Sequence, residues 1–210
     1  MTNRTGSAPS RAAIRAALAA RRAHHLEVLH AYRTTGIFPH NSTQPGEGHF
    51  LIDPRGVLCA VANLIAQDGH RDLIDDASRT DNGLLFASVE RGPFHDWILS
   101  SGFTREEIGR IQVPAPYVGP MPEELIPVQP GPEPAPAPRP IAVDPFAAAD
   151  MQVAAYLDAI ESTLRASTDA ALDLAVAALA ERPDLAVAIV RDPAPAPDAV
   201  ATIRFAQPPQ

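Results

Sequence analysis

Lysine is absent from this 210-residue chain, and all 17 basic residues are arginine. Cysteine occurs once, at Cys59, so no intrachain disulfide can form and a disulfide scaffold is excluded. Aromatic residues are only 5% of the chain, which limits the size of any core built on rings. No run of about 18 apolar residues occurs, which excludes a polytopic membrane protein. Glycine numbers 12 and follows no period of three, which excludes collagen. In contrast, there are 23 prolines and 38 alanines. Alanine-rich, lysine-free usage is typical of a GC-rich bacterial genome.

Charge divides unevenly. Residues 1–113 hold 12 Arg against 12 Asp+Glu, and residues 114–210 hold 5 Arg against 13 Asp+Glu. The formal net charge of −8 therefore comes from the second part. An acidic surface repels phosphate backbones, so broad nucleic-acid binding is not expected there. All seven histidines lie between His24 and His95, which directs any search for chemistry near neutral pH to the first part. Ala12–Ala20 is interrupted by Arg15 and followed by Arg21-Arg22, so it makes no secretory core. With a lone thiol as well, the expected compartment is the cytoplasm.

The pattern predicts a mainly all-α protein in five stretches. Residues 1–9 read as a disordered leader. Residues 10–113 read as a helical domain that opens with a long helix capped by Ser10 and stopped by Gly36. Gly36–Gly48 is a loop by its Pro, Gly and Asn content. His49–Ile52 is a candidate short strand, and Asp53-Pro54-Arg55-Gly56 fits a type I turn. Val57–Gln67 is apolar nearly all round and reads as a central helix. Short helices follow near 71–79, 83–89 and 93–101, and Thr104-Arg105-Glu106-Glu107 is a capping box for a last one. Residues 114–143 are a proline-rich linker, since 12 of the 32 residues Pro114–Pro145 are proline. Residues 144–191 are a helical module, with Leu185–Val190 open between helix and strand. Residues 192–210 read as a frayed tail.

Four constellations carry possible functions. The first is Cys59 with His49, His70 and Asp53. A cysteine near a helix N-terminus gains from the local N–H groups, a histidine could form a thiolate pair with it, and Asp53 could orient that histidine. This is a cysteine-dependent hydrolase or transferase reading, set against a small buried hydrophobe on an apolar helix. The second is the loop bearing Phe38, His40 and Asn41, a candidate ligand or partner site. The third is the stripe Val153, Leu157, Ile160, Leu164, Leu172, Val176 and Leu179. A helical pair that small is expected to need a partner, so self-association or docking is predicted through residues 144–191. The fourth is the run WILSSGFTREEIGRIQ, which has a helix–glycine–helix look that a DNA-binding module also has. The histidines lack ligand spacing on one helix face, and neither a metal nor another cofactor is expected.

The segments GIFPHN, HFLIDPRGVLCAVANLI, GH and WILSSGFTREEIGRIQ, in this order, resemble an uncharacterised bacterial family. Its pattern is a G-x-FP-x-N loop, a D-x-x-G turn, a C-A-V helix and a W-L-x-x-x-G-L-T-x-x-E-x-x-x-I-Q end. The resemblance spans residues 26–117. The chain departs from the pattern at Ala62, where glycine is expected, and at Phe103, where leucine is expected. The resemblance implies that Phe38-Pro39, Asn41, Asp53 and Cys59 share one folded unit, and it implies no activity. From the residues, the first expectation is a cytoplasmic interaction or regulatory protein that binds a ligand or partner in its first domain. The cysteine enzyme and the DNA binder are the alternatives.

Overall fold

A computed structural model describes residues 8–42, 46–115 and 145–192. Residues 1–7 of the expected leader, 116–143 of the expected linker and 193–210 of the expected tail lie outside the described residues. Eight α-helices are present among the described ones: α1 (Arg11–Thr35), α2 (Ala60–Gln67), α3 (Arg71–Thr80), α4 (Pro93–Ser100), α5 (Arg105–Ile111), α6 (Pro145–Ala166), α7 (Thr168–Leu179) and α8 (Pro183–Arg191). A 3₁₀ turn at Phe86–Ser88 stands where a short helix over 83–89 is expected.

The helix ends follow their capping chemistry. Ser10 Oγ accepts from Ala13 N at 3.2 Å, and Gly36 ends α1 in the left-handed region at φ 63°. Thr104 and Glu107 form both halves of a capping box on α5. No strand forms at His49–Ile52. The backbone makes two isolated antiparallel bridges instead, Gly48 to Ala115 and Ile52 to Leu58. Four residues flanked by a glycine-rich loop and a tight turn find no ladder to extend.

The first-part helices and α6–α8 share their cores. α1 packs against α2 on one side and α6, α7 and α8 on others. Val153, Leu157 and Leu164 of α6 enter the same cluster as Leu29, Tyr32, Phe38 and Trp97. A second cluster joins Ile14 and Leu18 of α1 to Leu172, Val176 and Leu179 of α7 and Ile189 of α8. The stripe expected to need a partner therefore finds one within the chain. Six of its seven members are buried and the seventh, Ile160, is packed against the first cluster.

A buried ion pair ties these layers together. Arg22, 1% exposed, meets both oxygens of Glu107 at 2.8 Å and also donates to the carbonyls of Gly102 and Leu164. Its guanidinium lies 4.9 Å from the Phe103 ring centre. One side chain of α1 thus holds the start of α5, the turn before it and the end of α6. Such a pair is tolerable inside only because each lone pair and proton has a partner.

Candidate functional site

Cys59 is the N-cap of α2, so the helix begins three residues later than Val57. The tight turn explains the delay. Gly56 N donates to Asp53 O at 2.9 Å, Asp53 N donates to Val57 O at 3.0 Å, and Cys59 N donates to Leu51 O at 3.0 Å. The backbone of 57–59 is thereby committed outside the helix. Cys59 Sγ accepts from Ala62 N at 3.5 Å, as a serine cap would.

The thiol is enclosed in the core. Cys59 is 3% exposed, and the space beside it is a void of about 10 Å³ lined by Tyr32, Phe38, Val153 and Leu157 among others. That is room for about one water. Burial pushes the thiol up to about 11, against the smaller opposite pull of the Ala62 and Val61 N–H groups. No histidine among the described residues hydrogen-bonds to it. His49 keeps a buried Nδ1 with no partner among the described residues, and burial lowers its pKa against the weaker pull of Glu47. His70 stands exposed at the N-terminus of α3. Asp53 is committed to its own turn: Oδ1 accepts from the N–H groups of Arg55 and Val57, and Oδ2 from His40 N and Arg55 Nε. The four residues expected to cooperate are each engaged or placed apart.

The loop candidates are also inside. Phe38 is fully buried, Asn41 donates from Nδ2 to Gly46 O, and His40 is 6% exposed. α6 covers His40: its Nε2 lies 2.8 Å from Asp150 Oδ1, and Phe146 stacks on its ring at 4.6 Å. In the helix–glycine–helix run, Trp97, Ile98, Phe103, Ile108 and Ile111 are buried, and Glu107 is held by Arg22. Among the described residues, no group of three or more His, Cys, Asp or Glu is placed to hold a metal ion, and no helix is long and apolar enough to cross a membrane.

Open space with fixed charges lies elsewhere. A cleft of about 420 Å³ opens between the C-terminal end of α2, the start of α3, α4, α1 and α8. Its charged lining is Arg21, Asp68, His70, Asp96 and Asp192, and its apolar walls are Leu73, Pro93, Trp97 and Leu185. Both sides of the chain build it, since Leu185 and Asp192 face residues of the first four helices.

Asp68 is the most strongly positioned group there. One oxygen, Oδ2, accepts from Trp97 Nε1 at 2.6 Å and lies 2.9 Å from His25 Nε2. His25, 1% exposed, has its other nitrogen 2.9 Å from the Ser101 carbonyl. Both neighbours of the ring are acceptors, and the ring bridges Asp68 to the C-terminal end of α4. Burial alone would push the Asp68 carboxyl up; the hydrogen bond and charge of His25, with the Trp97 bond, outweigh it and hold the carboxyl below its ordinary range. No described residue donates to Oδ1, and Asp68 lines the cleft. His24, beside it on α1, is buried with neither ring nitrogen partnered among the described residues, and burial, then His25, lowers its pKa.

A wider groove of about 580 Å³ runs between α4, α5 and α7, with Ile98, Leu99, Phe103 and Leu174 along it. Its most fixed charge, Arg182, is already paired with Asp96 and Asp184. The Asp68 cleft was hidden in the sequence because Asp68-Gly69 reads as a helix stop and Trp97 reads as a core position. The usable signals were the His24-His25 pair on an arginine-rich helix and the single tryptophan. No family model, curated protein or solved structure matches this chain.

Proposed function

We propose that the protein is a regulatory protein that binds a small polar ligand in the Asp68 cleft and performs no covalent chemistry at Cys59. The observation that carries this reading is the fixed carboxylate: Asp68 lines the cleft and is gripped on one oxygen by His25 and Trp97, while no described residue donates to the other. A carboxylate oriented in advance loses little freedom when a ligand arrives, which favours binding. A small pocket with a few convergent polar groups and an aromatic wall is the usual form of such a site. The covered thiol argues against the cysteine-enzyme alternative, because the nucleophile in that chemistry is an accessible thiolate. The occupied stripe on α6 and α7 leaves assembly outside the proposal.

The test is a thermal-shift screen of the full chain against a library of charged metabolites. A ligand that binds only the folded state raises the midpoint, and the rise grows with the logarithm of its concentration above Kd. At least one compound is expected to do so, and to lose the effect in Asp68→Asn. A library with no stabilising compound, or one whose hits are indifferent to Asp68→Asn, contradicts the reading.

A further inference from the structure

Resting on that reading, we infer that the cleft takes a free amino acid, with its ammonium on Asp68 Oδ1 and its carboxylate on Arg21. Asp68 is the anionic end of the site. The cation side is Arg21, on α1 one turn before His25. Its Nη2 donates to the carbonyl of Asp192 at 2.8 Å, while Nε is buried with no hydrogen-bond partner among the described residues. The buried Nε is closed to a ligand, but no described residue accepts from Nη1, so Nη1 and the second N–H of Nη2 form the edge that a planar carboxylate can take with two parallel bonds.

Placement joins the two ends. Arg21 and His25 are four apart on one helix, hence neighbours on one face with Cβ atoms about 6 Å apart. His25 in turn holds Asp68. An α-amino acid carries its charges about 3 Å apart, and with a hydrogen bond at each end it spans groups about 8 Å apart. A carboxylic acid or an amine alone would satisfy one end and desolvate the other. The apolar walls Leu73, Trp97 and Leu185 then face the ligand's side chain, which favours an aliphatic one. Asp96 and Asp192 add negative charge at the rim, and Arg182 offsets Asp96. His70 faces the same space from the start of α3.

Trp97 is the chain's single tryptophan, so its fluorescence reports this cleft directly. The experiment titrates the full chain with leucine and with its two half-molecules, 3-methylbutylamine and 4-methylpentanoate, each to about 10 mM, a range that covers millimolar affinity. Leucine is expected to give a saturable change, and each half-molecule to bind at least tenfold more weakly. Arg21→Gln should weaken leucine at least tenfold and leave the amine unchanged. Asp68→Asn should weaken leucine likewise and leave the acid unchanged, so either variant alone suffices if the other fails to fold. A half-molecule that equals leucine, or a folded variant that binds leucine as the parent does, overturns the inference. If leucine gives no response while a library compound stabilises the protein through Asp68, the amino-acid assignment fails and the cleft reading stands. If neither responds, both fail.

Discussion

At the residue scale, Cys59 shows how one side chain can satisfy two opposed readings of a sequence. A cysteine after a tight turn and before an apolar helix is where a nucleophile would stand, and it is also where a helix needs a cap. Here the sulfur accepts the Ala62 N–H and is enclosed by Tyr32, Phe38 and α6. Nothing in the local sequence announces that α6, beyond the linker, supplies Val153 and Leu157 to close the pocket. Burial raises the thiol from an ordinary 9.0 to about 11. The sign of the consequence is fixed by linkage. Above about pH 9 the unfolded chain loses the thiol proton while the folded chain keeps it, so stability falls by about 1.4 kcal/mol per pH unit until about pH 11. Buried Tyr32, whose phenol burial also raises, adds to the same alkaline loss. In urea unfolding, the stability lost between about pH 8 and about pH 10.5 should shrink by about 2 kcal/mol in Cys59→Ser. An unchanged loss would mean that the thiol is solvated. Asp68 and His25 teach the complementary lesson: their partners lie 43 residues apart in the chain, a separation that no local spacing rule spans.

At the element scale, helices were legible where their caps were chemical. Ser10, Gly36, Gly102 and the Thr104–Glu107 box mark helix ends that the structure reproduces within a residue or so. The helix starts differ from the sequence pattern where backbone groups are committed outside the helix. Val57–Cys59 has helical composition, but Asp53 and Leu51 take its N–H groups first. Pro183 could end a helix or begin one; it sits in the first turn of α8, where its missing N–H costs nothing. That choice resolves Leu185–Val190 as helix. The junction between α4 and α5 is the most constrained element boundary. Gly102 has φ 83°, and a Cβ there would meet Leu18 O at 2.5 Å and Arg22 Cβ at 2.8 Å. Gly102→Ala should therefore cost at least about 2 kcal/mol, from strain plus overlap with backbone. Arg22→Met should cost about 3–5 kcal/mol, because Glu107 is left buried without its cation. Chemical denaturation of the two variants checks both values. A cost below 1 kcal/mol for either, taken as about the size of a surface substitution, would refute the packing described for this junction.

At the scale of the whole molecule, the sequence suggests two bodies and the described residues make shared cores. A proline-dense stretch with a charge imbalance across it looks like a tether between independent units. An alanine-rich helical pair with one apolar stripe cannot bury that stripe alone, and α1 is the surface it meets. The helix is 25 residues long, enough to reach both clusters. Ionic contacts align the docking: Arg33 with Asp158 and Glu161, and Arg165 with Glu27, at 3.1–3.3 Å. The exposed pairs, Arg33 with Asp158 and Arg165 with Glu27, add little stability, whereas Glu161 is buried among its partners. The Asp68 cleft depends on the arrangement, since α8 and Asp192 form one of its walls.

Urea unfolding of the full chain, followed at once by Trp97 fluorescence and by far-UV circular dichroism, tests this shared architecture. Trp97 senses the packing of α1, α2 and α4, whereas the dichroism is dominated by all the helices, α6–α8 included. One cooperative body predicts that the two curves coincide, with one midpoint and one slope. A loss of helix signal that clearly precedes the fluorescence change would show α6–α8 leaving on their own, and would contradict the account of the cores and of the cleft built between them.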